Sequence, residues 1–253
     1  METSPRDPVI PDRNELIRTH AIHEFDSDRA MANALGCYGE LVRRFYMRIL
    51  AGVRGRRILD CGCGFGLFSR LALDAGFSVV SIDVDDVSID LARRISGVEC
   101  LKRSVYATGL AAGSIDAAVC FDSIQHFDLD LFGAELLRLK VRQLIVYDSN
   151  TANPLLRAYR STAGHEESHD RSADEIAAHF TGSGFRLTEK RYENFLSLPV
   201  SGGFQRPPVP LLSRAPALIY ALDRGLQPVS RILHLDRLLA FRFCLSFEAD
   251  LSR

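Results

Sequence analysis

The sequence predicts an α/β fold: a doubly wound, mostly parallel seven-stranded sheet with an antiparallel last strand and a helical lid insert. Three observations lead there. Short apolar runs of strand length alternate with helix-period segments from Arg57 to Tyr192, and such alternation builds a parallel sheet covered by helices on both faces. The run Arg57-Ile58-Leu59-Asp60 enters a turn with glycine at 62, 64 and 66 and continues into a helix near Leu67. The last apolar segment, Ala240 to Glu248, alternates face by face and follows the sixth strand without a regular crossover helix, so it is expected to return antiparallel.

Residues 1 to about 15 are rich in Pro, Asp and Arg and read as a tail. Met31, Leu35, Tyr38, Leu41, Val42, Phe45 and Ile49 recur at helical spacing, predicting one or two helices ahead of the first strand. The expected organisation is an N-terminal tail with cap helices over 1–50, then one domain over 51–253 with a lid insert at 193–238. Leu67, Phe68, Leu71 and Ala72 form a helix face that Gly76 ends. Further strands are predicted at Phe77–Ile82, Val98–Leu101, Ala117–Phe121, Gln143–Tyr147 and Phe185–Tyr192, with helices starting at Asp85 or Asp86, at Leu131 and at Ser172. Ser172-Ala173-Asp174-Glu175 is a capping box, whose first hydroxyl and last carboxylate satisfy two amides that a helix start leaves open.

With 253 residues, 47 % of them hydrophobic, the chain can bury a sizeable core. A formal net charge of −1 offers no basic field for a phosphate backbone, which argues against nucleic acid as a partner. The six cysteines are scattered, as buried thiols in a reducing compartment are, and Cys61 and Cys63 lack C-x-x-C spacing. Met1-Glu2-Thr3-Ser4-Pro5 has no basic stretch leading into an apolar run. Leu211 to Leu222 is interrupted by Arg214 and Pro216 and is too short to span a bilayer. The expectation is a cytoplasmic protein without stable membrane insertion.

In open α/β sheets, ligands bind beyond the carboxyl ends of the strands, where the winding reverses. Asp60, Asp83 and Phe121 with Asp122 end the first, second and fourth strands and should converge there. Glycines at alternate positions let a backbone turn sharply and approach a ligand closely. A pyrophosphate-binding G-x-G-x-x-G would need glycine where this chain has Leu67, and Asp60 would repel a pyrophosphate while accepting from an amine.

Ile58 to Gly66, Val80-Ser81-Ile82-Asp83, Gly113 to Val119 and Gln125-His126-Phe127 stand in this order over roughly residues 55 to 192. Together they resemble the class I S-adenosylmethionine-dependent methyltransferases, in particular the small-molecule group of ubiquinone and menaquinone biosynthesis enzymes. The resemblance implies a Rossmann-like sheet and S-adenosyl-L-methionine as cofactor. It also implies that Asp60 and the backbone of Gly62, Cys63, Gly64 and Gly66 hold the methionine end. Asp83 and Val84 would hold the ribose, Ser104 and Val105 the adenine edge, and the Phe121 carbonyl the amino group. Ser104 departs from the acid usual at its position, and Lys140-Val141-Arg142 replaces the usual Pro-Gly-Gly turn before strand five.

Such an enzyme would methylate a small organic acceptor, with a hydroxyl oxygen of an aromatic, lipid-like or secondary-metabolite substrate favoured. His126 is the candidate base, since an imidazole titrates near neutrality. Asp122, Asn150, Tyr159, Arg160 and His165 are candidate substrate contacts on the connections leaving strands four and five. The insert reads as a lid, and its apolar content is equally that of a hairpin packed on the core or a homodimer surface. One alternative is a non-catalytic S-adenosylmethionine-binding or regulatory subunit. Another is a nucleotide-dependent oxidoreductase, which Leu67 and Asp60 disfavour. His165-Glu166-Glu167-Ser168-His169 fits H-E-x-x-H, but its polar, helix-poor flanks argue for chance, and no metal is expected. Asp116, at the amino end of a strand, reads as structural.

Overall fold

The computed structural model describes residues 14–15, 26–162, 171–203 and 206–249, with the backbone alone at 159–162. Seven strands form one sheet: β1 (Arg57–Cys61), β2 (Ser78–Asp83), β3 (Cys100–Lys102), β4 (Ala117–Phe121), β5 (Gln143–Ser149), β6 (Phe185–Glu193) and β7 (Arg242–Ala249), in the order β3-β2-β1-β4-β5-β7-β6. Pairings from β3 across to β5 are all parallel. β7 is antiparallel to both β5 and β6, as expected, although the connection from β6 to β7 contains helices. The winding reverses between β1 and β4, so the loops after these strands flank the crevice where such sheets bind ligands.

Two cap helices precede the sheet, α1 (Ser27–Leu35) and α2 (Cys37–Leu50), and Gly36 parts them. They turn against each other so closely that a Cβ on Gly39 would stand 1.8 Å from the Ala34 carbonyl oxygen. Helix α3 (Leu67–Asp74) follows the glycine turn. Asp85 caps α4 (Asp86–Leu91), accepting from the Ser88 amide at 3.0 Å, and the helix runs on into a π-helical turn at Ala92–Ser96. Asp128 opens α5 (Leu129–Arg138), two residues earlier than the apolar pattern predicts, because its carboxylate accepts from the amides of Asp130 and Leu131. Helix α6 (Pro154–Thr162) follows β5, and the predicted capping box forms at the start of α7 (Ala173–Gly182).

The central strands β1, β4 and β5 are buried on both faces. Phe132, Phe180, Phe243 and Phe247 pack with α5 and α7 on one side. Tyr46, Phe68, Phe121 and Tyr147 pack with α2 and α3 on the other. Asp116 anchors the amino end of β1: its Oδ2 accepts from the amides of Arg56 and Arg57 at 3.0 Å each, and its Oδ1 from the Arg57 guanidinium at 2.6 Å.

Helices α8 (Ser197–Ser201), α9 (Pro216–Ile232) and α10 (Asp236–Leu239) lie in the insert between β6 and β7. Glu193 pairs with Arg242, and Arg242 pairs with Ser149 at the carboxyl end of β5. The insert therefore leaves and rejoins the sheet at the same edge as the glycine turn.

Candidate functional site

At that edge, the turn after β1 is held by main chain and side chains together. The amides of Gly62 and Cys63 both donate to the Ile82 carbonyl, at 2.9 and 3.0 Å. The Gly64 amide donates to Asp83 Oδ2 at 3.0 Å, and Asp83 Oδ1 accepts from Val84 at 2.8 Å and Asp85 at 3.0 Å. Gly62, Gly64 and Gly66 all have positive φ, at 71°, 51° and 70°. They differ in their surroundings. A Cβ on Gly62 would lie 2.8 Å from Ser123 Cβ, and one on Gly66 3.2 Å from Val98 Cβ, whereas one on Gly64 would meet nothing within 4 Å. The turn is packed at its two ends and open at its middle. Gly66 precedes α3 without a side-chain cap of its own, and the Ser69 amide in the first turn donates to Asp60.

Asp60 is 1 % exposed and accepts from Ser69 Oγ at 2.6 Å; Ser69 Oγ lies 2.7 Å from Ser81 Oγ. Burial pushes its carboxyl up to about 7; the Ser69 hydroxyl pulls the other way and the nearby Asp83 charge adds to the rise. Burial likewise raises Asp83, against the pull of its three amide donors. Cys63 and Cys100 bring their thiols within 2.7 Å of each other beside the turn, and both are free cysteines.

At the positions expected to border the adenine, Ser104 Oγ accepts from the Tyr106 amide at 3.2 Å, and Val105 is buried. Phe121 ends β4 within an aromatic group, its ring centroid 4.3 Å from that of Tyr46 and 4.4 Å from that of Phe68. His126 closes a 3-10 turn (Ile124–His126) after β4 and is half-buried. Gln125 ties that turn to the start of α7: its side-chain amide donates to the Arg171 carbonyl at 3.0 Å and accepts from the Arg171 amide at 2.7 Å.

The predicted acceptor contacts divide. Asp122 stands at the edge with a left-handed φ of 54° and is ion-paired with Arg242. Asn150 is 1 % exposed and gives its amide hydrogens to the carbonyls of Arg237 and Ala240 at 2.7 Å each, so its side chain ties the strand end to the returning insert. Tyr159 and Arg160 fall on α6 where only the backbone is described, and His165, with the H-E-x-x-H match, lies outside the described residues. Among the described residues no group of three or more His, Cys, Asp or Glu is placed to hold a metal ion.

The residue that sequence reading passes over is Arg242. It is buried, and it donates to Asp122 and, at 2.5 Å, to Ser149 Oγ. Its one signal in the sequence is a guanidinium opening an otherwise apolar strand.

A glycine turn hydrogen-bonded to an acid that ends the neighbouring strand, at the reversal point of a 3-2-1-4-5-7-6 sheet, defines a class I methyltransferase fold. Residues 59–142 match the family described as a methyltransferase domain. A ubiquinone biosynthesis O-methyltransferase of Bordetella avium is 37 % identical over 92 residues, covering 34 % of this chain and 38 % of the relative. One of Pseudomonas aeruginosa is 33 % identical over 82 residues, covering 30 % and 35 %. The matched stretch is thus little more than a third of these curated relatives. Among solved structures, a S-adenosylmethionine-dependent methyltransferase from Archaeoglobus fulgidus superposes with a TM-score of 0.58 at 16 % identity, over 83 % of this chain and 93 % of that one. Geranyl diphosphate C-methyltransferase from Streptomyces coelicolor gives 0.57 at 15 % identity, over 82 % and 78 %. These structures share the fold. Over residues 59–142 the chain is similar to a methyltransferase domain, and its sheet has the fold of the S-adenosylmethionine-dependent methyltransferases.

Proposed function

We propose that this chain transfers a methyl group from S-adenosylmethionine to a hydroxyl oxygen of a small aromatic, lipid-like or secondary-metabolite acceptor. The observation that carries the cofactor reading is the turn itself, fastened to Asp83 through Gly64 yet open at Gly64, where a Cβ would meet no protein atom within 4 Å. In this reading the backbone of Gly62, Cys63, Gly64 and Gly66 faces the methionine end, and buried Asp60 acts on its cationic groups through charge. Asp83 and Val84 serve the ribose. A carboxylate offers roughly four acceptor sites, and three amides occupy those of Asp83, so capacity for a ribose hydroxyl remains. Ser104 and Val105 border the adenine, and the Phe121 carbonyl accepts from the amino group.

When bound, the cofactor supplies a methyl group on an electrophilic sulfonium. The work left to the protein is to align the acceptor, exclude water and remove the hydroxyl proton. His126 is assigned the proton, from its place after β4 at the ligand edge. Oxygen as acceptor is supported by the names of the Bordetella and Pseudomonas relatives, both O-methyltransferases.

Calorimetric titration with S-adenosylmethionine, S-adenosylhomocysteine and NAD tests the first half, and binding of NAD alone would overturn it. A screen of phenol and catechol acceptors, following methyl gain and S-adenosylhomocysteine release by mass spectrometry, tests the second. Tight cofactor binding with no turnover on any acceptor would make the chain a binding subunit instead.

A further inference from the structure

Cys63 and Cys100 stand 37 residues apart in the chain, yet their sulfurs are 2.7 Å from each other. The sheet brings them together. Cys100 opens β3 opposite Ser81 of β2, and the Cys63 amide donates to the carbonyl of the next β2 residue, Ile82, at 3.0 Å. One thiol thus belongs to the glycine turn, and the other to a three-residue strand at the edge of the sheet that pairs with β2.

The two thiols differ in how a reagent reaches them. Cys63 is 9 % exposed, whereas Cys100 is half-buried. The hydrogen bond to Cys100, burial and the charges of Asp60 and Asp83 hold the Cys63 thiol well above its ordinary range. A thiol-reactive oxidant therefore meets Cys100 first, with Cys63 already in contact behind it. Cys61, Cys120 and Cys244 are buried and closed to such a reagent. A disulfide bond is about 2.05 Å long, so these sulfurs need approach by only about 0.7 Å to form one.

We propose that Cys63 and Cys100 are a reversible redox pair, which a low-molecular-weight disulfide converts to an intramolecular disulfide that clamps the glycine turn to β3. The Cys100 thiolate attacks one sulfur of the oxidant and releases its first thiol. Cys63 then attacks Cys100 Sγ in the mixed disulfide, loses its proton and releases the second. Two protein thiols are oxidised, and one disulfide is reduced to two thiols. In the reduced chain the turn and β3 meet through contacts alone; in the oxidised chain the turn cannot open without carrying β3 with it. The proposal goes beyond methyl transfer and stands apart from it, since neither cofactor nor acceptor is needed to measure it.

The test is incubation of the full chain with glutathione disulfide at neutral pH, followed by blocking of free thiols, trypsin digestion without reductant and mass spectrometry. The expected product is a cross-link joining residues 58–70 to residues 95–102, released by dithiothreitol. Because residues 58–70 hold both Cys61 and Cys63, fragmentation of the joined peptides must place the bond on Cys63. Closing a loop of 37 residues should also raise the thermal midpoint by about 5 °C or more. Cys100→Ser changes a half-buried side chain outside the proposed binding groups, so it should fold, form no cross-link and show no rise. A glutathione adduct that stays on Cys100 would overturn the proposal, as would a bond to Cys61 or six free thiols after incubation. A cross-linked chain whose midpoint fails to rise would overturn the clamp.

Discussion

The Gly64 amide donates to Asp83 Oδ2 at 3.0 Å, so the turn after β1 and the acid ending β2 hold each other in place. Removing the carboxylate releases the turn and also the acceptor proposed for the ribose. Asp83→Ala should weaken S-adenosylhomocysteine binding about 100-fold, the worth of two hydrogen bonds to a charged group, with Asp83→Asn falling between. Calorimetry measures this directly, and an unchanged affinity would refute the role given to Asp83.

The two glycines Gly62 and Gly64 should respond differently to alanine, although both have positive φ. Gly64→Ala pays the left-handed backbone strain of about 1–2 kcal/mol and places a methyl group where the cofactor would lie. Gly62→Ala adds a clash with Ser123 Cβ at 2.8 Å. Thermal unfolding should therefore fall further for Gly62→Ala, whereas Gly64→Ala should lose cofactor affinity out of proportion to its stability.

Asp60 links pH to both stability and binding. Its carboxyl titrates near about 7 in the fold, against about 3.9 in an unfolded chain. The folded state thus holds the proton more tightly, so this contribution is complete below about pH 4 and is lost as the pH rises through 7. Asp60→Asn should flatten that part of the stability curve. A cation bound nearby lowers the carboxyl again, so S-adenosylmethionine binding near neutrality should release protons. Calorimetry in buffers of different ionisation enthalpy detects this release, and Asp60→Asn should abolish it.

Arg242 is the buried counter-charge of Asp122. Arg242→Ala leaves Asp122 without its ion-pair partner beside buried Asp148, and should cost about 3–5 kcal/mol in denaturant unfolding. Arg242→Lys should recover only part of this, because an ammonium cannot span Asp122 and Ser149 as a planar guanidinium does.

His126 is tested by a split in kinetics. If it removes the acceptor proton, His126→Ala should lower kcat by about 100-fold or more and leave the cofactor affinity within twofold, roughly. Equal losses in both would place His126 in holding the turn after β4 instead.

The parts of the fold legible in the sequence are those written locally. Alternating strand and helix patterns place all seven strands within a residue or two, and the glycine spacing marks the turn because no other residue accepts three positive φ angles so close together. What escapes is set by residues distant in the chain. The alternation in β7 distinguishes two faces, but only its position between β5 and β6 buries the face carrying Arg242 and Cys244. Asn150 reads as a loop polar group facing a pocket, and its amide is spent on carbonyls 87 and 90 residues away. The early start of α5 was readable from Asp128, whereas the close approach of Gly39 to Ala34 depends on how two helices meet.

The strand order has a kinetic consequence. Among the described residues β7 is the last strand in sequence, yet it sits between β5 and β6, and β6 pairs with no other described strand. During synthesis β6 must therefore wait, its edge unpaired, until residue 249 has left the ribosome some 56 residues later, a delay of about 3–11 s at 5–20 residues per second. The exposed edge of β5 waits with it. Newly made chains should be most prone to aggregate in that interval, after the parallel half has formed and before the strand that closes the sheet arrives.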